Sequence, residues 1–303
     1  MKIIIVASLL LLVHQTGAQS TDRSLTEKIK PLLAGFHGDV GVYVKDLRKN
    51  RIVTIQADTL FPTASIVKIP ILIGIMSRIE KSELNYHQDL LYRDSLLYAG
   101  EDILGSFADS QTITLNKVMM LMLTMSDNTA SLWLQSLAGS GTRINQILDS
   151  LGYPKTRVNS RTEGRYPNWQ QYGWGQTTPR EIATLLEQIY QGKMISADAS
   201  ERMLRNLKRN FWDAQSLSQF PPTANTFSKN GAVDESRSEV VLVNSPHSDF
   251  VFAIMTKNNQ DTSWTNQNEA WELTRQIART LWQHFEPKSQ WKPMDGEARD
   301  RWF

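Results

Sequence analysis

The sequence predicts an α+β fold, an α/β sandwich in which a five-stranded antiparallel sheet is flanked by N- and C-terminal helices and carries an inserted all-helical domain. Two alternating runs, Val40–Leu47 and Arg51–Asp58, are separated by the basic turn RKN and predict a hairpin. Helical periodicity then dominates from about residue 70 to 210. Strand patterns return in three later runs, Asn225–Val233, Glu239–Ser245 and Phe250–Asn258. The simplest fold pairs all five strands in one sheet, with a cleft where sheet and helical block meet.

Sequence patterns typical of helix N-termini and of amphipathic helices predict the helices that border this sheet. An S-x-x-E capping box at Ser24 and Glu27 predicts where an N-terminal helix begins. Thr178 as N-cap, with Pro179 at the first helical position, predicts another helix late in the helical block. A closing helix is predicted over about residues 266–285 from its apolar stripe.

The N-terminus has the pattern of an export signal. A lysine, the apolar run IIIVASLLLLV and the small-residue exit TGAQS predict a signal peptide over residues 1–19, with cleavage near Ala18 or Gln19. Its apolar core is too short for an ordinary transmembrane helix, and no later segment is long and apolar enough to span a membrane. We therefore expect a periplasmic or secreted protein. The alternative is a buried N-terminal helix.

The predicted domain organisation is discontinuous. Residues 20–68 and 211–288 form the sheet domain, and residues 69–210 form the all-helical domain. The segment 289–303 shows no periodicity and is predicted to be a surface or disordered tail.

Composition excludes several classes of function. Lys and Arg number 33 against 31 Asp and Glu, a net charge of +2, which lacks the basic footprint of a nucleic-acid-binding protein. The chain has no cysteine, so it forms no disulfide. Its five histidines are scattered without a zinc-binding spacing, and no glycine-rich phosphate loop is evident. The sequence predicts a monomer that needs no metal or cofactor and acts on a small molecule.

Ser65 is followed one helical turn later by Lys68, at the start of an apolar run. Residues three apart share a helix face, so the two side chains are expected to touch. Serine becomes a strong nucleophile when a neighbouring base takes its proton, and lysine serves as that base when burial lowers its pKa. Taken singly, S-x-x-K usually marks a surface pair, and the same spacing recurs at Ser289 and Lys292.

Two further motifs follow in order. SDN at residues 126–128 comes directly after residues 115–125, which are apolar nearly all round and predict a buried helix. KNG at residues 229–231 lies on the first strand after the helical block. The structural alternatives are a helix cap for SDN and a strand-ending turn for KNG.

The ordered triple SIVK, SDN, KNG resembles the signature of class A serine β-lactamases and penicillin-binding proteins, S-x-x-K, S-D-N and K-[ST]-G. Ser126 follows Ser65 by 61 positions and Lys229 follows Ser126 by 103, which is close to class A spacing. The resemblance covers roughly residues 24–286, with the same order of helices and strands. It implies a β-lactamase/transpeptidase-like fold.

The resemblance also implies catalytic roles for the matching residues. Ser65 would be the acylated nucleophile, and Lys68 would activate it, alone or through water. Ser126 would relay a proton to the leaving nitrogen. The backbone N–H groups of Ser65 and Ala232 would form the oxyanion hole.

Substrate binding would involve Asn128, which would hold the amide side chain, and Lys229, which would attract the carboxylate, with Gly231 in the same motif. Asn230 stands where the family has Thr or Ser. An amide can donate a hydrogen bond to a carboxylate, but its reach differs from that of a hydroxyl. Arg237 is a candidate to compensate for this change, and an exposed turn arginine is the alternative.

The long loop before the helix at Pro179 departs further from the family. Class A enzymes carry E-x-x-L-N there, and its glutamate drives the water that releases the acyl group. Here Glu163 is the only carboxylate in the loop and is the candidate deacylation base. Its alternative is a solvated partner of Arg161 or Arg165. The acidic residue expected further on is replaced by Gly175 and Gln176.

Three hypotheses follow. The first is a class A serine β-lactamase, acylated on Ser65 and deacylated through Glu163, that hydrolyses penicillin- or cephalosporin-type antibiotics. The second keeps acylation but not fast deacylation, as in a penicillin-binding protein or D-Ala-D-Ala peptidase. The third is a non-catalytic protein that binds a cell-wall ligand.

Overall fold

The computed structural model describes residues 19–98, 100, 103–294 and 296. The predicted signal peptide, apart from Gln19, and most of the predicted tail lie outside these residues. Within the described part of the chain, no helix is both long and apolar enough to cross a bilayer.

Strands and helices alternate in blocks along the chain. The strands are β1 (Ser20–Thr21), β2 (Asp39–Asp46), β3 (Arg51–Ile55), β4 (Phe61–Pro62), β5 (Asp89–Leu91), β6 (Thr112–Thr114), β7 (Arg157–Val158), β8 (Gly175–Thr177), β9 (Asn225–Val233), β10 (Ser236–Asn244) and β11 (Asp249–Lys257). The α-helices are α1 (Arg23–Ile29), α2 (Lys68–Glu80), α3 (Leu115–Met120), α4 (Asn128–Leu137), α5 (Ser140–Ser150), α6 (Tyr166–Tyr172), α7 (Pro179–Tyr190), α8 (Ala197–Leu207) and α9 (Glu269–Phe285).

The main sheet has the order β1-β3-β2-β11-β10-β9, and its five long strands pair antiparallel as predicted. A sixth strand, β1, adds two residues parallel to β3 at the edge. It is held by backbone bonds from Ser20 N–H to the Asn50 carbonyl oxygen and from Asp22 N–H to that of Ile52. A two-residue pairing leaves no alternation in the sequence, so the predicted count of five was one too low.

The alternation along the strands divides the core between the two faces of the sheet. Val241 and Val243 of β10 pack into the cluster that includes α1 and α9. Val240 and Leu242 pack into the larger cluster with α2 and α7. Successive side chains of a strand point to opposite faces, so the sheet carries helices on both sides. This layering places the turn Ala64–Val67, which immediately precedes α2, against β9 and β10.

Helix starts follow local signals where no long-range contact competes. Thr178 caps α7 by accepting a hydrogen bond from Glu181 N–H at 3.1 Å, as predicted. At α1 the predicted capping box is wrong, because Asp22 is the N-cap and accepts from Leu25 N–H at 3.0 Å. Asp22 also contacts Arg51 and His284 from distant parts of the chain. These contacts hold its carboxylate at the cap and leave Ser24 inside the helix.

The segment 69–210 is mostly helical but is not all-helical. Two short pairings lie within it, β5 with β6 and β7 with β8, and β4 joins the second. Strands of two or three residues have no periodicity that sequence patterning could detect. The division into two domains stays a prediction.

Candidate active site

Ser65 lies in a single 3₁₀ turn, Ala64–Val67, immediately before α2. The turn is entered through Ala64, whose φ of +42° is unusual for a residue with a side chain. Residues i and i+3 of a 3₁₀ turn eclipse one another. Lys68, the first residue of α2, therefore lies directly beside Ser65.

Lys68 is completely buried, and its ammonium group sits among oxygen atoms. Its Nζ lies 3.0 Å from Ser65 Oγ, 3.0 Å from Ser126 Oγ and 2.9 Å from Asn128 Oδ1. It also donates to the Ser126 carbonyl oxygen. A lysine at the start of a buried helix is thus solvated by the polar side chains of two motifs, and it links the two serine hydroxyls.

The SDN motif follows a helical segment that changes form. Helix α3 passes into a π-helical turn, Leu121–Met125, and ends at Ser126, which has a left-handed φ of +61°. Asp127 then caps α4, accepting from Ala130 N–H at 2.7 Å and from Leu104 N–H at 3.0 Å. The cap interpretation therefore describes Asp127, while Ser126 and Asn128 are directed at Lys68.

Lys229 is also completely buried, on β9. Its Nζ donates to the backbone oxygen of Asn230 at 2.9 Å and to its Oδ1 at 3.2 Å. Burial and the nearby charge of Lys68 hold the pKa of Lys229 well below its usual range, and Glu239 opposes this effect. The two motif lysines therefore influence each other electrostatically.

Glu239 is a buried carboxylate behind the site that the sequence analysis missed. It lies on β10 directly opposite Asn230, and its Oε2 accepts from Ser216 N–H at 3.0 Å. Burial raises the pKa of Glu239 to about 7, against the opposing effects of Ser216 and Lys229. A charged residue within the apolar run of β10 was the available signal.

The side-chain amide of Asn230 has a defined orientation. Its Oδ1 accepts from Lys229 Nζ and from Asn210 Nδ2, the latter at 3.3 Å. Asn210 is itself anchored by a bond from its Nδ2 to Ser228 Oγ at 3.1 Å. With its oxygen engaged twice, Asn230 keeps its NH₂ group as the end available to a ligand.

Arg237 is neither an exposed turn residue nor part of the cleft wall. Its side chain is 1% exposed and donates to three backbone carbonyl oxygens. The guanidinium carbon lies 4.3 Å from the ring centroid of Trp264 and 5.0 Å from that of Trp271. The exposed-turn alternative is wrong, because stacking on two indoles draws Arg237 into the space between β10 and α9. Its predicted role in substrate binding stays a prediction, which gains no support from a side chain that lines neither cavity at Ser65.

Glu163 lies outside the linings of both cavities at Ser65. Its side chain is solvent-exposed. The loop interior is instead held by Arg165, which donates to Asn159 Oδ1 at 2.8 Å and to Gln176 Oε1 at 2.8 Å. The placement of Glu163 does not support its predicted role as the deacylation base.

Close packing around Gly175 explains why this loop has a glycine where the sequence comparison with the family expects an acidic residue. A β-carbon there would stand 2.7 Å from both Thr63 Oγ1 and Val67 Cγ2, and 2.8 Å from the Arg157 carbonyl oxygen. The Thr63 N–H also donates to the Gly175 carbonyl oxygen at 2.9 Å. No acidic side chain fits at this position, because β8 packs directly on the turn that carries Ser65.

Two cavities meet at the nucleophile and share Ser65, Asn128 and Ala232. The first, of about 480 Å³, extends towards Tyr98, Tyr172 and Trp174. The second, of about 420 Å³, extends past Ser126 and Asn230 towards three tryptophans, Trp212, Trp264 and Trp271. Within the described residues, no group of three His, Asp or Glu side chains is arranged to hold a metal ion.

In this site a buried lysine bridges a serine and a second hydroxyl, in a cleft between an antiparallel sheet and a helical block. This arrangement is typical of serine acyl-transfer proteins. The chain belongs to the β-lactamase enzyme family, whose model matches residues 24–285. It is therefore a β-lactamase- or penicillin-binding-type serine hydrolase by family.

Several known proteins are similar to the chain. VEB-1, a β-lactamase of Pseudomonas aeruginosa, is 20% identical over 295 residues, 93% of this chain and 97% of the relative. A mutant of PBP-A, solved as an acyl-enzyme complex with penicillin G, has a TM-score of 0.79 and 24% identity, covering 89% of this chain and 99% of that one. A β-lactamase of Sphaerobacter thermophilus has a TM-score of 0.76 and 22% identity, covering 86% and 96%.

Proposed function

We propose that this protein is acylated on Ser65 by β-lactams and releases the acyl group slowly, as a penicillin-binding protein does. The observation that carries the proposal is the position of Lys68 Nζ, 3.0 Å from both serine hydroxyl oxygens. A single buried amine can take a proton from one hydroxyl and return it through the other, which is what acyl transfer to a serine requires.

The proposed reaction uses the site residues in sequence. Ser65 Oγ attacks the lactam carbonyl carbon while its proton passes to Lys68 Nζ. This step uses the uncharged form of Lys68, because only an amine with a lone pair can accept the proton. The backbone N–H groups of Ser65 and Ala232 stabilise the oxyanion. The C–N bond then breaks, Ser126 Oγ donates a proton to the leaving nitrogen and is reprotonated from Lys68, and an ester on Ser65 results. Lys229 and the NH₂ group of Asn230 would attract the substrate carboxylate.

Slow release of the acyl group follows from what lies around Ser65. Glu163 is exposed and lines neither cavity, and among the described lining residues Glu235 is the one carboxylate, exposed on the β9–β10 turn. Because the one carboxylate among these lining residues is exposed to solvent on a turn, we propose that the ester has no general base held against it. The PBP-A mutant, which was solved as an acyl-enzyme complex with penicillin G in a similar fold, supports the acylation step of the proposal.

Hydrolysis of β-lactams is the second candidate, favoured by the similarity to VEB-1 along nearly the whole chain. In that case a group other than exposed Glu163 would activate the water, or the loop would rearrange after acylation. Cleavage of D-Ala-D-Ala peptides is compatible with the same acylation chemistry, with the peptide carbonyl replacing the lactam.

Intact-protein mass against time after mixing with penicillin G tests the proposal. We expect an adduct of the full mass of the drug that persists after free drug is removed. Ser65→Ala should form none, and Lys68→Met should form it at least about 100-fold more slowly. Rapid clearance with hydrolysed drug would instead make the protein a β-lactamase. Absence of an adduct with any β-lactam would defeat acylation and favour a non-catalytic protein.

The proposal also includes export by an N-terminal signal peptide, a periplasmic or secreted location, and a monomeric state. Edman sequencing of protein recovered from the exporting host would test the first point. A mature N-terminus near Gln19 is expected, and an uncleaved Met1 would contradict it.

A further inference from the structure

The cavity beyond Ser126 is walled by aromatic rings that are fixed in place although they are exposed. Trp264 is 59% exposed and Trp212 is 42% exposed, and both line this cavity together with half-buried Trp271. Large apolar side chains that remain exposed at a cleft are characteristic of binding surfaces.

The two exposed indoles are held at their polar edges. Trp264 Nε1 donates to Asp234 Oδ1 at 2.9 Å, and Trp212 Nε1 donates to the Met125 carbonyl oxygen at 3.0 Å. Trp264 also packs edge-to-face with Trp271, with centroids 5.9 Å apart. Since each exposed indole N–H is already bonded, the rings offer carbon surface to the cavity, and they offer it without losing much side-chain freedom on binding.

The charge of the walls differs between the two cavities. Among the described residues that line the tryptophan cavity, none is an Asp, Glu, Lys or Arg. The cavity on the other side of Ser65 is lined by Glu235 and Lys257. The tryptophan cavity is bordered by neutral amides such as Asn230 and Gln215, while the nearby cations Lys68 and Lys229 are completely buried. Such walls favour a flat, uncharged group over an additional ionic one.

Ser126 identifies which part of a substrate would enter this cavity. Its hydroxyl is the proposed proton donor to the leaving nitrogen, and it lines the tryptophan cavity but not the other one. The ring fused to the lactam through that nitrogen, with its substituents, therefore lies on the tryptophan side. The acyl side chain lies on the side of Tyr98 and Trp174.

We infer that the cavity formed by Trp212, Trp264 and Trp271 is a leaving-side subsite that binds planar aromatic substituents by stacking, and that it directs substrate choice towards β-lactams that carry them. This inference rests on the proposed acylation of Ser65. It assigns the three tryptophans to specificity and none of them to the chemical step.

Cephalothin and nitrocefin test the inference, because they share the thienylacetyl group and differ at ring position 3, where nitrocefin carries an aromatic dinitrostyryl group. The measured quantity is the second-order rate constant of acylation, followed by intact mass at short times. The ratio of the nitrocefin to the cephalothin constant should fall about five- to tenfold in Trp264→Leu and in Trp212→Ala. Differences in the intrinsic reactivity of the two compounds cancel when the ratio is compared between variants.

Trp174→Ala is the matched control, since Trp174 lines the acyl-side cavity. It should change both rate constants equally and leave their ratio unaltered. Leucine at position 264 keeps an apolar side chain over Arg237, whose stacking partners are Trp264 and Trp271 and not Trp212. At least one of the two variants should therefore fold, which thermal unfolding verifies. Unchanged ratios in both folded variants would overturn the inference alone. Failure of the wild-type protein to be acylated by either compound would instead defeat the proposed function.

Discussion

Gly231 lies against the backbone of the nucleophile. A β-carbon at position 231 would stand 2.8 Å from the Ser65 amide nitrogen and 2.4 Å from the Thr63 carbonyl oxygen. Strand β9 can approach the turn that carries Ser65 only because this residue has no side chain. The same close approach brings Ala232 to the cleft wall beside Ser65, as an oxyanion hole requires.

Gly231→Ala is therefore expected to impair both folding and acylation. The added methyl meets backbone atoms that cannot rotate away, so the free energy of unfolding should fall by about 1–3 kcal/mol. Acylation by penicillin G should slow at least tenfold, because even a small displacement of the turn misaligns the nucleophile. Urea unfolding and intact mass measure the two effects. Gly100→Ala is the control, since among the described residues the atom nearest to a β-carbon there is Asn128 Nδ2, at 3.9 Å. Equal behaviour of the two variants would contradict the prediction.

Glu163→Gln should leave the lifetime of the acyl-enzyme unchanged. The carboxylate is exposed and lines neither cavity, so its removal takes no base away from the ester. Arg165→Ala is the informative companion, because it leaves the oxygens of Asn159 and Gln176 without their guanidinium donor and should lower stability by about 1–3 kcal/mol. Adduct decay is followed by mass. A tenfold longer lifetime in Glu163→Gln would restore this glutamate as the deacylation base.

Glu239 should make stability depend on pH. Unfolded, its carboxyl loses the proton near pH 4.3, whereas the folded protein retains it to about pH 7. Between these values the folded state binds more protons, so this residue's contribution is present below about pH 4.3 and is lost as pH rises through about 7. The Glu239→Gln variant cannot lose stability in this way, because glutamine does not titrate. The free energy of unfolding of the variant minus that of wild type should therefore be greater at pH 8 than at pH 5.

The effect should be on the order of 1–3 kcal/mol and is measured by unfolding at both pH values. Part of it is offset because the variant also removes the attraction between Glu239 and Lys229. Glu235→Gln, at an exposed carboxylate on the β9–β10 turn, is the control and should show no such difference. A variant whose stability tracks wild type at both pH values would show that Glu239 is ionised in the fold.

Arg237→Lys should destabilise the protein without slowing acylation. Lysine retains the charge but cannot donate to three carbonyl oxygens while lying between Trp264 and Trp271. A loss of about 1–3 kcal/mol in the free energy of unfolding is expected. Acylation by penicillin G should stay within about twofold of wild type, because Arg237 lines neither cavity. A large fall in the acylation rate with unchanged stability would return Arg237 to the substrate-binding role predicted from sequence.

Features that depend on neighbours in the chain were predictable from sequence. The contact between Ser65 and Lys68 follows from a spacing of three residues, and the cap at Thr178 involves residues within one turn. The apolar runs of the five long strands were sufficient for the fold class, because a sheet that has helices on both faces buries the side chains on both faces of its central strands. Motif order and spacing were sufficient for the family.

Tertiary structure decided whatever depends on packing between distant segments. Arg237 is buried because Trp264 and Trp271 close over it, and Asp22 displaces Ser24 as a helix cap through contacts with Arg51 and His284. The exposure of Glu163 and the aromatic walls beyond Ser126 likewise arise where segments far apart in sequence meet. Sequence periodicity reports which face of an element is buried, but it does not report which partner covers that face, and the chemistry of this cleft depends on the partner.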